Sequence, residues 1–354
     1  MRPIVKLKIE KLVFGGQGLA RHEGKVYFVW NALPGEEVEV EIIKQNKNFC
    51  EGEAIKIISS SPYRLPPKED HYMSCSAWQI LDFVQENAWK RIIAQETYEK
   101  LSGLSLQVPP EIEYEENESE HYRNKMEYHF VQEEGKIKLA FYERGGLQLK
   151  SMEQGCLLAK KEINEAAEEI LIWLNEIKAP IAALKNLILR YDGEKTLAGL
   201  IVRENIKFDS IPQIGPKLAG FHIYFADPRK PSNWLPEKIK VLGEEFLTNK
   251  INGRNLSYGL LSFFQINENM FKKALTDISS FVEQGSEIVD YYSGVGTIGL
   301  GINKKIKSGI LVENNSEAVK FAKENIFKNK VQNFEAVCAP AEKMTDYVKG
   351  DKTI

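Results

Sequence analysis

Gly294, Gly296 and Gly299 form a G-x-G-x-x-G spacing directly after the apolar run Ile288-Val289-Asp290-Tyr291-Tyr292. A second run, Ser308-Gly309-Ile310-Leu311-Val312, ends on Glu313. Together they predict strand, glycine turn, helix, second strand and acidic tip. In an open parallel sheet, ligands sit at the carboxyl ends of the strands, where glycines admit close backbone approach and an acid can hold a ribose. The chemistry expected is therefore recognition of a nucleoside-bearing cofactor. A dinucleotide would place its pyrophosphate on the helix N-terminus, where the Asp290 carboxylate would repel it. S-adenosyl-L-methionine carries no phosphate and has a cationic amino group and sulfonium, so Asp290 suits it better. The dinucleotide and a purely structural glycine turn stay open on these residues alone.

Several elements must position that segment. Residues 4–58 alternate in period two and are punctuated at Gly15-Gly16-Gln17-Gly18 and Leu33-Pro34-Gly35. About five short antiparallel strands are expected there, in a small closed barrel of the OB type. Ser59 to Pro67 reads as a linker, and apolar spacing from Trp78 to Leu101 predicts a long amphipathic helix. The acidic run Glu111 to Glu120 reads as a solvated connection. Strands at Lys125–Val131, Ile137–Phe141 and Leu187–Tyr191, with a helix over Lys160–Ile177, predict a central α+β domain without catalytic spacing of its own. Beyond Gly253 the pattern predicts β structure over Leu256–Ile266 and a helix over Asn269–Phe281. A further helix follows over Ser316–Lys330, a third strand over Asn333–Val337, and the start of a fourth at Asp351–Ile354. The expected fold class is multidomain α/β: barrel 1–60, linker and helix 61–120, central domain 121–245, and a Rossmann-like domain 246–354 that is incomplete after its third strand.

Composition bounds the partners. With 47 basic and 50 acidic residues in 354, the formal charge of -3 offers no long-range pull on nucleic acid, so any such contact must use local patches. No apolar run approaches the ~20 residues of a membrane span, and the charged start is no signal peptide. A cytoplasmic location is the expectation. Cys50, Cys75, Cys156 and Cys338 lack a C-x-x-C pair and read as buried thiols.

Phe263-Phe264-Gln265-Ile266-Asn267 and Asp290-Tyr291-Tyr292-Ser293-Gly294-Val295-Gly296-Thr297, with Glu313 at the ribose position, resemble the F-F-Q-x-N and D-L-Y-C-G-x-G-x motifs of the RNA (uracil-5-)-methyltransferases. Met73-Ser74-Cys75-Ser76-Ala77-Trp78-Gln79 and Tyr122-Arg123-Asn124-Lys125 resemble upstream segments of that family, and the N-terminal barrel resembles its TRAM domain. The resemblance implies an S-adenosyl-L-methionine site at Gln265, Tyr292, Glu313 and Asp290, with Gly294, Gly296 and Thr297 lining the turn. For Phe263 and Phe264 core packing is the expected role. It also implies methyl transfer to C5 of a uridine in RNA, after a cysteine thiolate adds to C6. The TRAM resemblance favours 23S ribosomal RNA over transfer RNA, and a non-catalytic RNA-binding protein is the alternative. RNA contact is expected through the barrel and around Arg123, Lys125, Lys6 and Lys8.

The pattern is departed from in three places. The family's D-P-P-R loop, S-C-N nucleophile and base fall after the point where the motifs here end, at Ile354, so a truncated, inactive chain without a catalytic residue is expected. Cys338 reads as a buried thiol, and Pro340 replaces a polar adenine contact. Many members hold a four-iron cluster; Cys75 and Cys156 match two of its ligands, while Pro66 and Tyr72 occupy the other two, so no cluster or other metal is expected.

Overall fold

A computed structural model describes residues 2–103, 113–114, 119–144, 148–204, 206, 208, 210–231 and 235–347. Most of the acidic run at 111–120 and all of Asp351–Ile354 lie outside them. The chain forms two compact units, one of residues 1–119 with 138–157, the other of 120–137 with 158–354.

In the first unit, β1 (Ile4–Lys8), β2 (Lys11–Leu12), β3 (Gly18–His22), β4 (Lys25–Trp30), β5 (Glu37–Gln45) and β6 (Phe49–Ser59) pair in the order β1-β5-β6-β4-β3-β2. β1 runs almost directly into β2, so the two ends of the order adjoin and the sheet wraps into a barrel. Leu7, Ile9, Val29, Val38, Val40 and Ala54 fill it. The expected all-antiparallel pairing fails at one place, because β4 and β6 run parallel. Two strands that are not consecutive in the chain can meet in either direction. At Gly52 a Cβ would stand 2.6 Å from the Glu41 carbonyl oxygen, so β5 can coil over β6 only because this residue has no side chain.

Arg64 then grips the buried Glu36 with two hydrogen bonds of 2.6 and 2.8 Å, which fixes the exit from the barrel. The expected long helix starts later than its apolar spacing suggested. A short turn, α1 (Tyr72–Cys75), precedes α2 (Phe83–Ser102), whose N-terminal amides at Val84 and Gln85 are capped by Asp82. Ile80 and Leu81 fall outside the helix and pack on Leu12 and Leu33 instead, while Val84, Ile92 and Tyr98 are exposed.

In the second unit, β7 (Lys125–Glu133) starts the central sheet; β8 (Lys136–Tyr142) and β9 (Leu149–Ser151) return to the first unit and pair with each other. α3 (Lys161–Glu176) buries Ile163, Ala166, Ile170, Trp173 and Leu174. β10 (Leu184–Tyr191), β11 (Thr196–Val202), β12 (Gly220–Phe225) and β13 (Glu237–Gly243) extend the sheet in the order β13-β12-β11-β10-β7. β14 (Phe246–Ile251) and β15 (Arg254–Gly259) form a hairpin, followed by α4 (Glu268–Phe281). The β segment expected up to Ile266 therefore ends at Gly259, and residues 260–267 form a loop.

β16 (Ser286–Tyr291), α5 (Thr297–Gly301), β17 (Ile306–Glu313), α6 (Ser316–Lys328) and β18 (Phe334–Cys338) complete a parallel βαβαβ unit in the order β16-β17-β18. Its core is continuous with the central sheet: Ile188, Leu197 and Tyr224 share one cluster with Leu256, Leu275, Leu300 and Leu311. No described helix is long and apolar enough to cross a membrane.

Candidate cofactor site

The glycine turn sits between the C-terminal ends of β16 and β17, and two carboxylates shape it. Glu313 Oε2 accepts from the Gly294 N–H (3.0 Å) and Oε1 from the Asn315 N–H (2.8 Å), so one side chain braces the turn and the start of α6. Asp290 Oδ2 accepts from the Gly299 N–H (3.0 Å), which anchors α5 to its strand. Burial, with Glu313 nearby, pushes the Asp290 carboxyl up to about 6, although the Gly299 amide opposes the shift. Asp290 is thus turned into the protein as a brace for the helix rather than presented to solvent.

The three glycines serve different ends. Gly294 (φ 54°) and Gly296 (φ 89°) adopt left-handed backbone, and at Gly294 an added Cβ would meet only the Phe263 carbonyl, at 3.7 Å. At Gly296 it would stand 2.8 Å from Leu311, and at Gly299 2.7 Å, so these two set how closely α5 packs on β17. Thr297 is the buried first residue of α5. Tyr292, the residue after β16, is 74% exposed with φ 57°, an unusual conformation for a bulky side chain. Beside it, Ser293 Oγ is buried without a hydrogen-bond partner, a polar atom that a bound ligand could satisfy.

The Phe263–Asn267 loop lies against this turn through the Phe263 carbonyl. Phe264 is buried and stacks on Tyr258 with ring centroids 4.2 Å apart. Phe263, expected in the core, is 67% exposed, because the loop backbone turns its side chain outward while its carbonyl faces Gly294. Asn267 caps α4 by accepting from the Met270 N–H at 3.1 Å. Cys338 is also exposed, not buried: it ends β18, and its thiol donates to the Asn314 carbonyl at 3.7 Å. Cys75 and Cys156 belong to the first unit, where they come together with Glu69 and His71.

Residues 3–55 match the TRAM domain, and residues 236–354 match the family described as tRNA (Uracil-5-)-methyltransferase. An uncharacterized RNA methyltransferase of Fusobacterium nucleatum is 28% identical over 361 residues, covering 96% of this chain and 77% of that protein. One from Aquifex aeolicus is 29% identical, covering 91% and 74%. Over these two matched segments the chain is similar to the RNA (uracil-5-)-methyltransferases, and its curated relatives are RNA methyltransferases. Among solved structures, a Pyrococcus abyssi tRNA (uracil-54, C5)-methyltransferase in complex with S-adenosyl-L-homocysteine shares the fold, with a TM-score of 0.69, 20% identity, and coverage of 95% of this chain and 79% of that one. RNA (uracil-5-)-methyltransferases depend on S-adenosyl-L-methionine, and the Rossmann-like βαβαβ unit is their methyltransferase fold.

Three buried residues from elsewhere in the fold hold the glycine turn and the loop beside it, and of these only Asn124 stands in a segment singled out in the sequence. Asn124, at the entry to β7, donates to the Gln265 carbonyl (3.0 Å) and to Glu268 (2.9 Å). Arg190, on β10, is 1% exposed; it donates to the Ser262 carbonyl at 2.7 Å and lies 5.2 Å above the Tyr258 ring. Asn325, inside α6, donates to the Val295 carbonyl and exchanges hydrogen bonds with Ser257. Replacing Gly296 with Ala should destabilise the second unit by about 1–3 kcal/mol from backbone strain, with a comparable overpacking cost against Leu311. Urea unfolding followed by tryptophan fluorescence checks this; an unchanged midpoint would show that the turn tolerates a side chain.

Proposed function

We propose that this chain binds S-adenosyl-L-methionine across the ends of β16 and β17 and directs its methyl group to C5 of a uridine in ribosomal RNA. The observation that carries the site is the approach of the Phe263 carbonyl to Gly294 opposite the Glu313 carboxylate, which brings both family motifs to one crevice. Glu313 would accept from the ribose hydroxyls with the lone pairs its two amide donors leave free. Gln265 would lie at the methionine end, Tyr292 would cover the ligand, and Gly294, Gly296 and Thr297 would line the turn. Asp290, half-buried, would act from beneath as an acid under a cationic ligand. When bound, S-adenosyl-L-methionine supplies the methyl group. C5 of a neutral uracil is a weak nucleophile and calls for a thiolate at C6; Cys338, whose thiol is engaged by the Asn314 carbonyl, is not given that role.

The ribosomal reading is supported by the TRAM match at residues 3–55, a barrel suited to RNA. A transfer RNA reading is favoured by the description of the family matched at 236–354 and by the tRNA enzyme of Pyrococcus abyssi. Incubation of the chain, extended after Ile354 by a family segment that carries the S-C-N nucleophile, with labelled S-adenosyl-L-methionine and unmodified ribosomal or transfer RNA separates them: label in 5-methyluridine of ribosomal RNA is expected. Label confined to transfer RNA would select the second reading, and label in neither would sink both.

Of the basic residues expected at the RNA, Lys6 and Lys8 are exposed on one face of β1, with Lys6 3.1 Å from Glu37. Lys125 is mostly buried, and that burial lowers its pKa, so it does not serve as an exposed phosphate contact. Lys6→Glu with Lys8→Glu should weaken RNA binding and flatten its salt dependence by about 0.7–0.9 in log–log slope for each phosphate no longer neutralised. Filter binding at several salt concentrations reads both; an unaltered slope would return the barrel to a structural role.

A further inference from the structure

Four side chains with metal-ligating atoms converge in the first unit, outside the cofactor site. The carboxylate of Glu69, the His71 imidazole and the thiols of Cys75 and Cys156 place one ligand atom each within 4.8 Å of all the others. Cys156 is fully buried, His71 is 3% exposed, and the Glu69 side chain 6%. Zinc–ligand bonds of about 2.0–2.3 Å require tetrahedral edges of roughly 3.3–3.8 Å. Cys75 Sγ lies 3.3 Å from Glu69 Oε2, and His71 Nε2 3.2 Å from Glu69 Oε1.

Local structure explains the convergence. His71 caps the single turn of α1 and Cys75 ends it, so the two stand four residues apart on one face. The Leu157 N–H, next to Cys156, donates to Glu69 Oε1 at 2.6 Å and draws the distant segment onto the turn.

The surrounding groups prepare these atoms to bind a cation. His71 Nδ1 faces Asp70 Oδ1 at 3.2 Å, which favours the tautomer with the proton on Nδ1 and a lone pair on Nε2. Nε2 is buried, and its approach to Glu69 lacks hydrogen-bond geometry. Gln79 Nε2 donates to Glu69 and lies 3.5 Å from Cys75 Sγ, a donor suited to a thiolate carrying negative charge. Buried as they are, two thiols, a carboxylate and an imidazole gain most from a shared dication.

We propose that Glu69, His71, Cys75 and Cys156 bind a single divalent cation of the zinc class, which ties the loop after the barrel to the segment after β9. A four-iron cubane, placed by the family resemblance on Cys75 and Cys156, does not fit this donor set, because it takes about four thiolates and the cluster of side chains contains two. Four protein ligands leave no open position, so the site is structural rather than catalytic.

The full chain, made without a histidine tag in zinc-supplemented medium and dialysed, should retain about one zinc per chain by elemental analysis. Cobalt substitution should produce the intense thiolate charge-transfer absorption of a cysteine-ligated ion. Cys75→Ser with Cys156→Ser should reduce the metal to below about a tenth of an equivalent. Should that variant fail to fold, Asp70→Ala keeps every ligand and should weaken zinc affinity about 10–100-fold in chelator competition by releasing the imidazole orientation. Metal-free protein with no thermal shift on zinc addition would overturn the proposal. So would about four irons with acid-labile sulfide, zinc retained by the double variant, or unchanged affinity in Asp70→Ala.

Discussion

Glu313→Ala should weaken S-adenosyl-L-methionine binding by about 1–3 kcal/mol, a loss of roughly 5- to 150-fold, because a charge-assisted hydrogen bond to the ribose disappears. The structure adds a second consequence. Glu313 receives a backbone N–H on each oxygen, from Gly294 and from Asn315, so the carboxylate also organises the turn it serves. An amide offers one acceptor and one donor. Glu313→Gln would set an N–H2 group against one of two fixed N–H donors and is expected to bind about as weakly as Ala. Isothermal calorimetry with the cofactor or with S-adenosyl-L-homocysteine decides it. Native affinity in Glu313→Ala would remove this residue from the site, and native affinity in Glu313→Gln would show that the charge and the second amide are immaterial.

Asp290→Asn should stabilise the second unit at neutral pH, by about 3 kcal/mol at most. The carboxyl titrates near 6 in the folded chain against a reference of 3.8, so the folded state favours the protonated form. Its stabilising contribution is therefore fully present below about pH 4 and is lost as pH rises through about 6. A carboxyl raised from 3.8 to about 6 corresponds to roughly 3 kcal/mol. Asparagine keeps a carbonyl oxygen for the Gly299 N–H while removing the buried charge. Urea unfolding at pH 4, 5, 6 and 7 should show the variant gaining on the native chain with each step. Parallel stability profiles would show that Asp290 is not desolvated as its burial implies. The native acid costs stability at neutral pH, and that cost is consistent with a carboxylate kept for a cationic ligand.

Elements set by local interactions are legible in the sequence. α3, α4 and α6 start and stop within a residue or two of their periodic patterns, since apolar spacing and the side chains of Asn267 and Asn315 act within a single turn. The βαβ order around Gly294 and Glu313 follows from the alternation of short apolar runs with a glycine turn, in which each step needs only its neighbours. Structure departs from expectation where a residue's partner is remote. Ile80 and Leu81 continue a helical spacing, yet the barrel residues Leu12 and Leu33 take them. Phe263 and Phe264 are identical neighbours, and only the path of their loop makes one a core ring and the other a surface ring. Cys338 ends β18 paired with Glu313 at the end of β17, and it is exposed there although its neighbours in sequence are apolar.

The site divides in the same way. Residue types and spacing are enough to propose Gly294, Gly296, Asp290 and Glu313 as cofactor residues, because a glycine turn between two strands is contiguous in the chain. That Glu313 braces the turn while Asp290 anchors the helix is visible only in their hydrogen bonds to Gly294 and Gly299. Asn124, Arg190 and Asn325 reach the site from other strands and helices, and the grouping of Glu69 and His71 with Cys75 and Cys156 depends on a segment far along the chain folding back onto α1. Local backbone preferences act over a few residues and are written in sequence order, whereas burial and ligand convergence depend on distances that exist only once the chain has closed on itself.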